Sequence, residues 1–232
     1  DYPVGKVPMG GLVLTAGADV QKDRIEVEIV AWGRGRVSWS VEHLVFEGDP
    51  QQPAVWRQLD KLMGQTFDHA AGGILPIERL AIDTGGHWTT EVYAWVARQD
   101  PTRVMAIKGM PNASVALGAP SYVEVNAAGL RLRRGAKLWP IGVSLVKGTL
   151  YGWLRQEPPR DGQPTPEGYC HFPRYGEEYF KQLTGERLVR RTNRAGFTKL
   201  DWEKSRPRNE VLDMRVYAIA ASMAQQIDRW TE

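Results

Sequence analysis

The sequence is poorest in the residues that build covalent and soft-metal frameworks. Cys170 is its one cysteine, so no disulfide framework can form and the composition suits a reducing compartment. Its neighbour His171 would make half of a zinc site. No second cysteine exists, however, and His43, His69 and His87 are scattered, which argues against a tetrahedral Cys/His centre. No stretch approaches the roughly 20 apolar residues that a membrane span requires, no signal peptide opens the chain, and no helix-turn-helix or zinc finger offers a means of reading bases. The net charge is only +3, so bulk electrostatics selects no partner. Repeats, low-complexity tracts and linkers are missing too. The 232 residues are therefore read as a single domain, 1–232, close to the roughly 250 residues at which single cores stop growing. The chain begins with Asp1 rather than Met, read as the mark of an excised or processed piece with a partner domain out of view.

What the chain has is carboxylates in marked places. Leu12-Val13-Leu14-Thr15 opens a short apolar strand that runs to Asp19, and Gln21-Lys22-Asp23 turns it into a second strand. An acid where a packed strand surfaces is held by the sheet yet still reaches solvent and ligand. Alone, it equally well opens a turn. Glu78 to Asp83 repeats the device, an apolar strand that ends on an acid before Gly85-Gly86. A third acid, Asp213, lies on the clearest helix, expected from Pro207 to Trp230 with Leu212, Val216, Ile219, Met223, Ile227 and Trp230 as its core stripe. Glu210, Asp213 and Tyr217 share one side of that helix.

Between these points, Arg24 to Trp32 and Val37 to Phe46 alternate apolar and polar residues, as half-buried strands do. Val55, Leu59, Leu62 and Met63 fall at helical spacing. Thr89 or Thr90 is placed to cap a helix carrying Val92, Trp95 and Val96, and Arg103 to Gly109 reads as a strand. A hairpin through Tyr122-Val123-Glu124-Val125 and Leu130-Arg131-Leu132, a helix from Trp139 to Leu154, a surface loop from Glu157 to Gly168, a helix from Tyr175 to Leu183 and a basic hairpin from Leu188 to Trp202 complete the chain. From Arg187 to Arg208, eight Lys or Arg stand against Asp201 and Glu203, a charge block that suits a polyanionic substrate.

This order of elements is that of a ribonuclease H-like α/β fold: a mixed five-stranded sheet, order 3-2-1-4-5, flanked by helices, with an extra β-hairpin. In that order Asp19 and Asp83 emerge side by side and the last helix brings Asp213 to them. Three unpaired acids at one point repel one another. A divalent cation relieves this, and hard oxygen ligands suit Mg²⁺ or Mn²⁺. Two such ions, roughly 4 Å apart, can activate water and stabilise the leaving oxygen of a phosphodiester.

Thr15-Ala16-Gly17-Ala18-Asp19 with Asp23, Ile82-Asp83-Thr84-Gly85-Gly86, Ile107-Lys108-Gly109, and Arg208-Asn209-Glu210-Val211-Leu212-Asp213 with Val216-Tyr217-Ala218 resemble, in order and across nearly the whole chain, the nuclease half of lambda-like tailed-phage terminase large subunits. The resemblance implies a metal-dependent endonuclease that cuts concatemeric viral double-stranded DNA into genome lengths during packaging. It implies Asp19, Asp83 and Asp213 as the catalytic, metal-binding acids. It also implies an upstream ATPase domain, a small terminase subunit and a portal as partners, and the host cell cytoplasm as the place of work. No G-x-x-x-x-G-K-[ST] phosphate loop occurs, so ATP hydrolysis is not expected of this stretch.

Auxiliary candidates each carry a plainer alternative. Lys108 is a phosphate contact or a solvated strand end. Glu210 assists a metal or favours the helix N-terminus through its dipole, and Asp23 is an outer acid or a turn residue. His87 serves in proton transfer or simply enters a helix. Arg190, Arg191 and Arg194 face DNA or solvent. Two other functions stay open at this stage: a noncatalytic DNA-binding or assembly module, and a junction-resolvase-like or transposase-like nuclease of the same fold.

Overall fold

The computed structural model describes residues 2–123, 135–160, 162–192, 196 and 198–227. In chain order the elements are β1 (Val13–Val20), β2 (Arg24–Trp32), β3 (Ser38–Glu47), α1 (Pro53–Met63), β4 (Thr66–Asp68), β5 (Ile74–Asp83), α2 (Thr89–Val96), β6 (Val104–Gly109), β7 (Ser121–Tyr122), β8 (Lys137–Ile141), α3 (Val143–Leu154), β9 (Cys170–His171), α4 (Glu177–Leu183), β10 (Glu186–Thr192), β11 (Thr198–Lys204) and α5 (Glu210–Ala224).

One mixed sheet runs β7-β8-β6-β5-β1-β2-β3-β9, with short β4 paired to the start of β5. Strands β1, β5, β6 and β8 are parallel, and β2 is antiparallel to both β1 and β3. The segment β3-β2-β1-β5-β6 has the 3-2-1-4-5 order of the ribonuclease H-like fold. Beyond those five strands the sheet extends at both edges. Lys137 to Ile141 forms a strand between β6 and the short β7, so the helix expected from Trp139 begins only at Val143. Trp-Pro followed by Gly142 breaks the helical run. The hairpin expected through Tyr122 and Leu130 retains Tyr122 in β7, while 124–134 lie outside the described residues.

Strand β1 explains how the layers are laid out. Leu14, Ala16, Ala18 and Val20 enter one core with Val55, Leu59 and Leu62 of α1 and Val92 and Trp95 of α2. The alternate residues face α5, because successive side chains of a strand point to opposite faces. Gly17 is the place of closest approach: a Cβ there would stand 1.9 Å from the Met214 carbonyl oxygen and 2.7 Å from the Ala218 nitrogen. Thr15 fastens the contact by donating its hydroxyl to the Ala218 carbonyl at 2.9 Å while accepting from Trp32 Nε1 at 2.7 Å.

Helix α5 is consequently buried on all sides, with Met214, Arg215, Ala218, Ala220 and Ala221 as inaccessible as the predicted Leu212, Val216 and Ile219. It packs on β1, β2 and β5 below and on α3 and α4 at its flanks, so its one-sided stripe was an incomplete account. It starts at Glu210 rather than Pro207, and Trp230 lies outside the described residues. Strand β2 was similarly underestimated. Glu26 and Glu28 are fully buried because α5 and α4 cover the face that alternation had assigned to solvent. Glu28 is held by Ser40 Oγ at 2.8 Å, Tyr179 Oη at 2.6 Å and Arg215 Nη1 at 3.3 Å.

Gly17→Ala should lower stability by at least about 3 kcal/mol, the upper end of ordinary overpacking, because the clash is with backbone rather than a movable side chain. Chemical denaturation of the variant against wild type measures this.

Candidate active site

Parallel pairing aligns Ala18 with Ile82, so the next residue of each strand, Asp19 and Asp83, lies at the same level on neighbouring strands about 4.8 Å apart. Both are at the carboxyl ends of parallel strands, the edge at which open α/β sheets place their ligands. Asp213, in the first turn of α5, is carried to the same edge by the close contact at Gly17. The three acids line one cleft of about 830 Å³ together with Asp23, His87, Lys108, Lys204, Arg208, Glu210 and Tyr217.

The electrostatics of the acids differ. Asp19 is 7% exposed and accepts from Gln21 Nε2 at 2.5 Å. Burial, followed by the nearby Asp213 charge, pushes its carboxyl up to about 7. Asp83 is raised by burial against the opposing pull of the Gly85 and Thr84 amides. Asp213 is also raised by burial, against the pull of Lys147. Its Oδ1 lies 3.2 Å from Lys147 Nζ and its Oδ2 accepts from Asn209 Nδ2 at 3.1 Å. Burial likewise lifts the Tyr217 hydroxyl well above the usual phenol range, with Asp213, Asp83 and Asp19 adding to it.

The auxiliary candidates separate by their partners. Lys108 follows Ile107 at the exposed end of β6, within the cleft. Glu210 is directed to arginines: its Oε1 is 3.2 Å from Arg24 Nη2 and its Oε2 is 3.4 Å from Arg208 Nε. Asp23, largely exposed, takes Arg24 Nη1 at 2.8 Å. His87 lies on the cleft wall after Gly85-Gly86. Thr89, expected as a helix cap, instead donates to the Thr84 and Gly86 carbonyls at 2.7 and 3.0 Å and so fixes the loop behind Asp83.

The basic hairpin is less available to a polyanion than its composition implied. Arg187 Nη2 and Arg191 Nη2 reach Glu203 at 2.8 and 3.1 Å, and Lys199 reaches Asp201 at 3.4 Å. Antiparallel register puts Arg187 across from Glu203, whereas Arg191, itself opposite Lys199, reaches along to Glu203, and Lys199 pairs with Asp201 on its own strand. Arg190 is exposed, and Arg194 lies outside the described residues.

Several site residues escaped the sequence reading. Lys147 and Glu186 form a buried pair at 2.8 Å directly behind Asp213, joined by Asn209 at 2.8 Å. Burial alone would lower the Lys147 ammonium, but Asp213 and Glu186 hold it above its usual value. One signal was present: Lys147 occupies a core position in the apolar spacing Val146, Leu150 of α3. Glu26 is the other omission. It accepts from Arg24 Nε at 2.6 Å and Arg208 Nη2 at 2.7 Å and lies 3.2 Å from His43 Nε2. Although burial opposes it, His43 and Arg24 bring its carboxyl down to about 2. Glu26 thereby holds Arg208 at the cleft wall.

In chelator, Asp19→Asn should raise the melting temperature at pH 8 and change it little at about pH 4. The folded-state value near 7 stands above the ordinary 3.8, so the folded chain binds this proton more tightly than the unfolded one. Its contribution to stability is therefore lost as pH rises from about 4 to 7, at about 1.4 kcal/mol for each tenfold difference in proton affinity between the two states. Thermal scans of both proteins across that range provide the check.

The chain matches the family model of the terminase large subunit gpA endonuclease domain over residues 1–231. It is 33% identical over 228 residues to the terminase large subunit of Escherichia phage lambda and 30% identical over 231 residues to that of Enterobacteria phage P21. Each alignment takes in 97% of this chain and 34% of the relative, so the chain spans about a third of the length of the curated relatives it matches. Among solved structures, the large terminase nuclease from thermophilic phage G20c aligns with TM-score 0.43 and 12% identity, covering 90% of this chain and 81% of that one. The g2p large terminase nuclease domain from bacteriophage SPP1, with bound Mn, gives 0.42 and 10%, covering 93% and 95%. With its full length matched by one family model, the chain belongs to the terminase large subunit gpA endonuclease domain family.

Proposed function

We propose that the chain is a metal-dependent endodeoxyribonuclease that cuts concatemeric viral double-stranded DNA during genome packaging, with Asp19, Asp83 and Asp213 as its metal-binding acids. The observation that carries this reading is the convergence of the three carboxylates on one cleft edge with basic side chains around it. The donor set fits a hard divalent cation. All three groups are oxygen ligands, and the Asp19 carboxyl is raised first by burial and then by the neighbouring Asp213 charge, with Asp83 and Glu210 adding to it. Bound there, Mg²⁺ or Mn²⁺, two ions in the proposed reaction, would supply an activated water and stabilise the leaving oxygen of the phosphodiester.

The chain's own residues would do the rest. Lys108, Lys204 and Arg208 line the cleft and are suited to holding DNA phosphates, with Arg208 kept in orientation by Glu26 and Glu210. Tyr217 and Gln21 line the cleft beside the acids, and Gln21 donates to Asp19. His87, which also lines the cleft, would serve in proton transfer to the departing strand, and Asp23 would act on the site through Arg24. The hairpin arginines Arg190, Arg191 and Arg194 would add backbone contacts. The Arg191 pairs are exposed, and such pairs are worth so little that a phosphate can replace them.

In the full-length protein this activity would be joined to an ATPase domain, and a small terminase subunit and a portal would direct it to its DNA, in the host cell cytoplasm. Among the described residues no helix is long and apolar enough to cross a membrane.

Asp19→Asn and Asp213→Asn should each reduce plasmid nicking in Mg²⁺ or Mn²⁺ by at least about 100-fold, the upper range for disturbing even a metal's outer partners. Chelator should abolish nicking by the wild type. Unimpaired cutting by either variant, or equal cutting in chelator, would remove the assignment. Equal or better cutting of a branched junction than of linear duplex would favour a resolvase instead.

DNA binding without metal should weaken on neutralising Lys108 and Lys204, with the logarithmic salt dependence shallower by roughly 0.9 per lost phosphate contact. Neutralising Arg187 and Arg191, already paired across the hairpin, should change the slope less. Fluorescence anisotropy across a salt series reads both.

A further inference from the structure

Lys147 is a buried charge to which the reaction above gives no task. It sits in α3 behind the cleft, 5% exposed, with Nζ 2.8 Å from Glu186 Oε1 and 3.2 Å from Asp213 Oδ1. Asn209 Nδ2 donates to the same Glu186 oxygen at 2.8 Å and to Asp213 Oδ2 at 3.1 Å. Both oxygens of Asp213 are thus engaged by protein donors, and Glu186 secures those donors from the far side. Among the described residues, no three His, Cys, Asp or Glu side chains stand close enough to hold one ion as they are. The acids share a cleft, but the one on α5 is already partnered by a cation of the protein.

Resting on the reading of Asp213 as a metal ligand, we propose that Lys147 is a positioning residue that competes with the divalent cation for Asp213. In the metal-free protein it aims and neutralises the carboxylate. When an ion arrives, Asp213 gives up the Lys147 contact, and Glu186 keeps the ammonium paired so that no buried charge is stranded. Metal affinity is thereby set below what three free aspartates would give. Glu186 is the part of the arrangement that makes the exchange reversible, because an ammonium of fixed charge needs a second carboxylate to retreat to.

The test is calorimetric titration of MnCl₂ into the chelator-stripped chain. It compares wild type, Lys147→Met with Glu186→Gln, Glu186→Gln alone, and Asp19→Asn. The double variant removes one charge of each sign, so a distant electrostatic effect largely cancels. It should bind Mn²⁺ about tenfold more tightly or better, the scale of one charge-assisted hydrogen bond lost by the competitor. Glu186→Gln alone should bind more weakly, since Asp213 is then the only carboxylate left to Lys147.

Affinity of the double variant within about twofold of wild type, or weakened in step with its melting temperature, would overturn the proposal and leave Lys147 as packing. Should the double variant not fold, unchanged or tighter binding by Glu186→Gln overturns it equally. Failure of the parent reading looks different: wild type would bind no Mn²⁺, or Asp19→Asn would bind it as well as wild type, and the role of Lys147 would fall with it.

Discussion

The contact between Gly17 of β1 and the backbone of α5 at Met214 and Ala218 is the constraint on which the site depends. Ordinary helix-on-sheet packing is spaced by side chains. Here the spacer is removed at one residue, and the helix settles against the strand with its first turn over the strand's carboxyl end. Asp19 lies two residues beyond Gly17 on the same face of β1, and Asp213 lies one residue before Met214 on α5. The distance between these acids is therefore governed mainly by backbone, which rotamer changes cannot loosen. Thr15 and Trp32 complete the fastening below.

Burying α5 on that face creates a second problem, solved in two ways. Strand β2 presents Glu26 and Glu28 to a covered surface, and an unpaired buried carboxylate is costly. Each is given basic or hydroxyl partners: Arg24, Arg208 and His43 for Glu26, and Arg215, Tyr179 and Ser40 for Glu28. These charges are compensated within the protein by ion pairs and hydroxyls, although Glu28 Oε2 and the Arg215 guanidinium nitrogens make no hydrogen bond among the described residues. Among the described residues, Asp19 and Asp83 accept hydrogen bonds from neutral donors, Gln21 for one and backbone amides for the other, with the Lys108 charge acting on Asp83 without a hydrogen bond. That contrast within one small region distinguishes carboxylates left open to an outside cation from those the fold itself has neutralised. Asp213 stands between the two groups, sharing Lys147 with Glu186.

The same contrast applies to the positive charges. In β10 and β11, Arg187, Arg191 and Lys199 are paired with Glu203 and Asp201 and so are compensated locally. At the cleft, Lys108 and Lys204 stand on its walls, and Arg208 is presented by a fully buried glutamate. A basic count along the chain merges the two populations, since Lys204 ends β11 and Arg208 follows in the same run, while the geometry that would meet DNA belongs to the cleft residues alone.

Local pattern was enough to determine the strands β1, β2, β3, β5 and β6, the acids near the carboxyl ends of β1 and β5, and the helix that carries Asp213. Each of these follows from short-range periodicity and turn chemistry, whereas the spatial order of the strands was expected from the fold that their succession resembles. Tertiary structure alone decided what lay behind them. Alternation in β2 reads the same whether its polar face meets water or a helix, so the burial of Glu26 and Glu28 was invisible until α5 covered them. The strand at Lys137 to Ile141 was hidden by its continuity with the apolar run of the helix that follows, and pairing to β6 on one side and β7 on the other settled it. Lys147 of α3, Glu186 of β10 and Asn209, the residue before α5, meet only because α3 and β10 pack beside the start of α5. Buried ion pairs between distant segments leave no periodic trace, since their cause is the desolvation that packing itself imposes.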